Sequence, residues 1–160
     1  MESCAECGAP MQPRSCDDLF HTLLALDHSR QEPWGPLHGV SVSCFLLQHH
    51  SRIPDDDAMP WALVRGYLEG GLDEIEQLVE NARRGNSHRL NAGPARVAHA
   101  AASPRATAPP SHFAVTIEDV ALDGSFPAAG FAERVKDWSA ATVDGWSRVR
   151  ERDLPGRTTE

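Results

Sequence analysis

The sequence predicts a mainly α-helical protein, a small helical bundle with an N-terminal zinc knuckle and a long proline-rich linker before a C-terminal helix. Apolar residues recur at helical spacing in several segments, three cysteines fall within the first sixteen residues, and residues 86–111 hold four prolines without any periodic apolar pattern. A chain of 160 residues suits one domain with a modest core, which a metal ion could stabilise.

Four regions follow from this pattern. Residues 1–85 are expected to form the zinc knuckle and helical core, and residues 86–111 a flexible linker. Residues 112–150 are expected to form a C-terminal segment and a tryptophan helix that packs back on the core. Residues 151–160 are expected to be a frayed tail.

The first two helices are predicted to form an antiparallel hairpin. Helix one begins at Cys16 or Asp17, runs to Asp27 and is followed by the breaker-rich stretch SRQEPWGP. The second segment, residues 37–49, is rich enough in β-branched residues to suit a strand. Its spacing favours a helix, because four residues recur at i, i+4, i+7 and i+11: His38, Val42, Phe45 and His49.

Two further helices are predicted before the linker. The acidic stretch PDDDAMP precedes a short helix that ends at Gly70 and Gly71. A fourth helix, Leu72 to Arg84, places its apolar residues on one face and stops at Gly85.

The C-terminal segment is predicted to contain a short extended piece, a helical turn and a long helix. Thr116 and Asp119 are spaced for a capping interaction at the turn. The last helix, residues 128–150, aligns a stripe that large aromatic residues make a core element: Phe131, Val135, Trp138, Thr142, Trp146 and Val149.

Charge and hydropathy exclude two classes of partner. A net charge of −8, a pI near 5.4 and the lack of a basic stripe disfavour nucleic acid binding. No segment reaches the roughly 20 apolar residues that span a bilayer, and no basic region is followed by an apolar run at the N-terminus. We therefore expect a cytoplasmic protein, in which cysteines serve as metal ligands or buried thiols rather than in disulfides.

The opening residues predict a structural zinc site. Cys4 and Cys7 form a CxxC knuckle followed by a glycine, and Cys16 supplies a third thiolate. An antiparallel hairpin would place His49 beside Cys16, whereas His38 would lie about 16 Å farther along the axis. The predicted ligands are therefore Cys4, Cys7, Cys16 and His49. A redox role for the CxxC pair is the alternative, but the sequence lacks a thioredoxin-like βαβ pattern.

The same hairpin predicts a second cluster at its other end. His28 would face His38, and His21 lies two turns earlier on the face of His28, with Asp17 or Asp27 nearby. These histidines could hold a catalytic metal or act as acid and base, or they could simply be favourable residues at helix ends. Cys44 lies off the stripe of His38 and His49 and is expected to be a small buried residue.

The motifs CAECG, SCDDLFHTLLALDH, PLHGVSVSCFLLQHH, FAVTIEDV and RVKDWSAATVDGWS together resemble an uncharacterised bacterial family, the domain of unknown function 5946. The resemblance spans most of the chain outside residues 86–111 and implies no established activity. It marks six positions of the family pattern: Cys4, Cys7, Cys16, His38, Gln48 and His49. The chain departs from that pattern at His50, where proline is usual, and at Phe45, where tyrosine is common. His38 and His50 therefore remain alternatives to His49 as the fourth ligand.

Two functions are compatible with these observations. The first is a zinc-binding helical module that acts as an accessory or binding protein, with a protein partner, a small molecule or a second copy of the chain as its partner. The second is a metal-dependent enzyme with a cleft lined by His21, His28 and His38. We favour the first, because a closed site uses the recognisable ligands and no nucleophile elbow, phosphate loop or paired-carboxylate motif is found.

Overall fold

A computed structural model of the protein describes residues 2–88 and 108–153. Within these residues the fold is mainly helical, and the only β pairing is an isolated bridge between Ser3 and Pro10. The described residues form five helices, in order α1 Cys16–His28, α2 His38–Gln48, α3 Ala58–His88, α4 Ile117–Ala121 and α5 Phe131–Asp153. A 3₁₀ turn, His50–Arg52, follows α2. The predicted fold class is confirmed.

Helix α1 begins where its capping chemistry dictates. The Ser15 hydroxyl accepts a hydrogen bond from the Asp18 backbone N–H, and the Asp18 carboxylate accepts one from the Ser15 N–H. This reciprocal arrangement satisfies two backbone donors that have no partner inside the helix. The cap fixes the position of Cys16, the first residue of the helix.

Helix α2 is the centre of the bundle, and it is a helix rather than the alternative strand. It contacts α1, α3 and α5. Seven of its residues are buried: Val40, Ser41, Ser43, Cys44, Phe45, Leu47 and Gln48. The predicted burial of Cys44 is confirmed, and its thiol lies 3.4 Å from the hydroxyl of Ser139 on α5. Because neighbouring helices cover α2 on several faces, each of its two ends lies against a different set of residues and can contribute to a different site.

Helix α3 contains the two helices predicted on either side of the glycine pair. Gly71, with φ +67°, breaks the helical backbone at that point. Positive φ is readily adopted only by glycine, so the break follows from the sequence. We call residues 58–70 the first arm and residues 72–88 the second arm of α3. The second arm runs through His88, so residues 86–88 of the predicted linker are helical.

The C-terminal helices pack on this core. The predicted capping box of Thr116 and Asp119 is present at the start of α4. Helix α5 contacts α2 and α3, and the indole N–H of Trp146 donates to the Leu47 carbonyl at 2.8 Å. Trp138 and Trp146 are both buried, as the stripe on α5 predicted.

Two expected regions fall largely on undescribed parts of the chain. Residues 89–107 hold most of the predicted linker and residues 154–160 most of the predicted tail, and both lie outside the described residues. Among the described helices, none is long and apolar enough to cross a membrane.

Candidate metal centre

The knuckle is a tight turn that holds Cys4 and Cys7 on the same side. The Gly8 N–H donates to the Cys4 carbonyl at 2.9 Å, and the Cys4 N–H donates to the Ala9 carbonyl at 2.7 Å. Gly8 has φ +84°, and a Cβ at this position would lie only 2.5 Å from the Nδ1 atom of His112. Both the backbone conformation and the available space therefore require glycine after the second cysteine.

The structure brings together the four predicted ligands, which we call the Cys₃His cluster: Cys4, Cys7, Cys16 and His49. Their three Sγ atoms and one imidazole nitrogen all lie within 4.8 Å of one another, close enough to hold a metal ion. Two separations are 3.6 Å, from Cys7 Sγ to Cys16 Sγ, and 3.7 Å, from Cys4 Sγ to His49 Nε2. Tetrahedral ligands with metal–sulfur bonds of about 2.3 Å would be about 3.8 Å apart. In residues 2–88 and 108–153 no other group of three or more such side chains is this compact.

The imidazole of His49 is oriented as a metal ligand. Its Nδ1 lies 2.8 Å from the Phe45 carbonyl oxygen, which can only accept a hydrogen bond. Nδ1 therefore carries the proton, and Nε2 presents its lone pair to the cysteines. This is the arrangement by which a second hydrogen bond fixes the tautomer of a metal-binding histidine.

An aromatic stack supports the same ring. Phe45 lies between Phe20 and His49, with ring centroids 3.9 Å and 4.1 Å away. His49 itself is 4% exposed. Phe45 thus acts as a packing surface for the His49 ring. In the sequence, only the i, i+4 spacing of Phe45 and His49 indicated that the two rings would pack together.

The thiols are arranged so that they cannot all ionise without a cation. The hydrogen bond from the Cys16 thiol, together with the Ala9 N–H, lowers the pKa of Cys7 against the opposing effect of burial. The same contact with Cys7, together with burial, raises the pKa of Cys16. Two thiolates 3.6 Å apart repel each other, whereas a divalent cation between them favours both.

Polar contacts fasten the knuckle to the turn after α2. The Glu6 carboxylate accepts hydrogen bonds from the Ser51 N–H at 2.7 Å and the Ser51 hydroxyl at 3.0 Å. It also pairs with Nδ1 of His50 at 3.3 Å. His50 is therefore directed to the surface, and His49, not the alternative His50, completes the cluster.

The C-terminal segment also touches the knuckle, a contact that sequence analysis did not foresee. The Phe113 N–H donates to the Cys7 carbonyl at 3.1 Å. Gln48, adjacent to His49, donates through its side-chain amide to the Val115 carbonyl and the Thr142 hydroxyl, both at 2.9 Å. These contacts link the cluster to α5. The Gln48 position was marked only by the family resemblance.

The histidine cluster predicted at the other end of the hairpin forms only in part. His38 Nδ1 lies 2.9 Å from Oδ2 of Asp27, and His28 lines the same cleft. His21 does not line that cleft, and Asp17 instead pairs with Arg52. Residues at i and i+7 on a helix are separated by about 10.5 Å of axial rise, which explains why His21 stays apart. His38 lies with Asp27 and outside the Cys₃His cluster, as the axial distance predicted.

The comparisons with known proteins place the chain in a family. Searches of the curated proteins and of the solved structures found no match. The Family of unknown function (DUF5946) matches residues 2–147, a range that includes the four cluster residues and most of α5. Because this match covers far more than half of the 160 residues, the chain belongs to the DUF5946 family.

Proposed function

We propose that Cys4, Cys7, Cys16 and His49 bind one structural zinc ion, and that the protein serves as a zinc-stabilised accessory or binding module. The observation that carries this proposal is the closed ligand set: three thiols and one preoriented imidazole within 4.8 Å. Four protein ligands leave no position for a substrate or an activated water, which is typical of structural zinc.

The ligand chemistry supports zinc over other cations. Thiolates are soft ligands, and a tetrahedral S₃N set suits zinc, whereas calcium and magnesium prefer oxygen ligands. Three of the four ligands lie before or at the start of α1, and the fourth lies at the end of α2. An ion at this position would join the knuckle and the start of α1 to the end of α2, so its binding would contribute directly to folding.

Metal-dependent catalysis by His21, His28 and His38 is less well supported. His21 lies away from the cleft that contains the other two residues. Nδ1 of His38 is hydrogen-bonded to Asp27 and is therefore not available to a metal ion. Among the described residues, no compact ligand set includes these histidines. A reducing compartment such as the cytosol would suit the thiols of the preferred site.

Metal analysis of the purified full chain tests this proposal. We expect one zinc per chain that resists dialysis and is removed only by a strong chelator or by thiol modification. A second, exchangeable transition metal that depends on His28 and His38 would support the enzyme instead. Metal-free protein with intact helices would contradict the proposed function.

A further inference from the structure

A cleft of about 830 Å³ lies at the end of the hairpin opposite the metal centre. It is bordered by the end of α1, the start of α2 and the second arm of α3. We call it the Asp27 cleft, after the most buried charged residue in its wall. The Cys₃His cluster contributes no residue to it.

Asp27 and His38 form a dyad in the wall of this cleft. The Asp27 side chain is only 1% exposed, whereas that of His38 is 53% exposed. Asp27 Oδ2 contacts His38 Nδ1 at 2.9 Å, and Asp27 Oδ1 has no hydrogen-bond partner although it is buried. A buried carboxylate beside Nδ1 favours an imidazole that carries a proton on that atom. In the imidazolium form of His38, Nε2 also carries a proton and donates it to a group in the cleft.

The cleft is rich in basic side chains, in contrast to the acidic composition of the whole chain. Arg30, Arg83, His28 and His38 line it, and Asp27 is the only acidic residue among its described lining residues. The whole chain has a formal charge of −8. A group of basic side chains in an acidic protein is a suitable position for a small anion.

The position of Arg30 is fixed by the turn between α1 and α2. Its backbone has φ +56°, and its N–H donates to the Asp27 carbonyl at 3.1 Å. A Cβ at Gly35 would lie 2.8 Å from the Arg30 backbone, so the two segments are in close contact. The backbone of this rim is thus preorganised, so no backbone ordering is needed to place Arg30 at the cleft.

The remaining wall is apolar. It includes Leu24 of α1 with Ile75 and Val79 of the second arm of α3. Val79 is 38% exposed, which is unusual for a large apolar side chain in this protein. Cationic groups beside an exposed apolar wall match a ligand that has both an anionic and an apolar part.

We propose that the Asp27 cleft binds a small organic anion, with its oxyanion held by His38 and Arg30 and its apolar body against Ile75 and Val79. Asp27 is a positioning residue, because its carboxylate accepts the hydrogen bond from Nδ1 that orients the His38 ring. Arginine and protonated histidine both make charge-assisted hydrogen bonds to carboxylates. The cleft would give the zinc-stabilised module a ligand site of its own, independent of the metal.

The test is an NMR titration of the full-length, metal-loaded protein with sodium octanoate. We expect saturable binding in the millimolar range or tighter, with shifts of the His38 ring and of the Ile75 and Val79 methyl groups. Arg30→Gln and His38→Gln should each weaken binding about tenfold, because each removes one charge-assisted contact. Arg148→Gln, an exposed arginine on α5, is the matched control and should bind octanoate like the wild type.

Two results would overturn the proposal. One is binding that is absent, or unchanged in Arg30→Gln and His38→Gln while their melting temperatures match the wild type. The other is equal binding of 1-octanol, which would show that the apolar wall acts without the cationic groups. Since Arg30 is exposed and outside the core, Arg30→Gln remains informative even if His38→Gln destabilises the fold.

Discussion

The two ends of the α1–α2 hairpin carry similar residue types but are built differently. At one end, His49 is buried, its ring is stacked on Phe45, and its free nitrogen faces thiols. At the other end, His38 is half exposed, with its Nδ1 on a buried carboxylate and its Nε2 available in an open cleft. We call the end that carries the Cys₃His cluster the closed end, because protein side chains surround it. We call the end that carries Asp27 and His38 the open end, because its cleft is accessible to a ligand from solution. Burial and the partner of Nδ1 thus distinguish a structural histidine from one that can bind.

The largest expected effect comes from a substitution in the Cys₃His cluster at the closed end. Cys7→Ser should lose the metal and lower the melting temperature by about 10 °C or more, because binding free energy is folding free energy at a structural zinc site. Circular dichroism melting with metal analysis measures both. Cys44→Ala is the matched control, since Cys44 is also a buried thiol but lies outside the cluster. Equal metal loss from both variants would contradict the assignment.

The second prediction compares the two histidines directly. His49→Ala should behave like the cysteine variant, whereas His38→Ala should retain one zinc per chain. The reason is that His38 contacts Asp27 and lies outside the Cys₃His cluster. Zinc content after dialysis against a weak chelator measures the difference. Equal loss from the two variants would mean that the ends of the hairpin do not act separately.

A third, smaller effect tests the connection between the closed end and α5. Gln48→Ala should reduce the unfolding free energy of the metal-loaded protein by about 2 kcal/mol, because the Val115 carbonyl and the buried Thr142 hydroxyl lose their donor. Denaturant titration measures this change, and the zinc content should stay at one. Gln77→Ala, an exposed glutamine on α3, should be nearly neutral. If Gln48→Ala were as neutral as Gln77→Ala, the amide would not hold α5 in place.

The smallest effect concerns the open end and its pH dependence. Burial raises the pKa of Asp27 above its ordinary 3.8, although His38 partly offsets this. The folded state then holds this proton more tightly than the unfolded state, so the contribution of Asp27 to stability declines as pH rises from 3.8 to the raised value. Asp27→Asn should remove that decline. We expect the difference in unfolding free energy between wild type and Asp27→Asn to change over this interval and to level off above it. A difference independent of pH would contradict the raised pKa.

The sequence was most informative where local chemistry decides the structure. Capping by Thr116 and Asp119 and the break at Gly71 follow from nearby residues. The convergence of Cys16 and His49 followed from helix geometry once a hairpin was assumed, because 1.5 Å of rise per residue assigns each histidine to one end. These features depend on short stretches of chain.

Features that depend on distant contacts could not be read from the sequence. The packing of Phe113 on the knuckle and the donation of Gln48 to Val115 join segments more than 60 residues apart. The cationic rim of the Asp27 cleft combines Arg30 of the α1–α2 turn with Arg83 of α3. Neither arginine belongs to a motif, so no local pattern identified them. His21 does not line the Asp27 cleft, because helical periodicity gives the face of a residue but not which neighbour covers it.

X-ray absorption spectroscopy at the zinc edge tests the central claim most directly, because it reports the metal and its ligands in one measurement on the intact protein. We predict one zinc per chain with three sulfur neighbours at about 2.3 Å and one nitrogen at about 2.0 Å. His49→Ala should lose the nitrogen neighbour, whereas His38→Ala should leave the spectrum unchanged. A first shell dominated by oxygen and nitrogen, or protein without zinc that is folded like the wild type, would contradict a structural zinc site at the Cys₃His cluster.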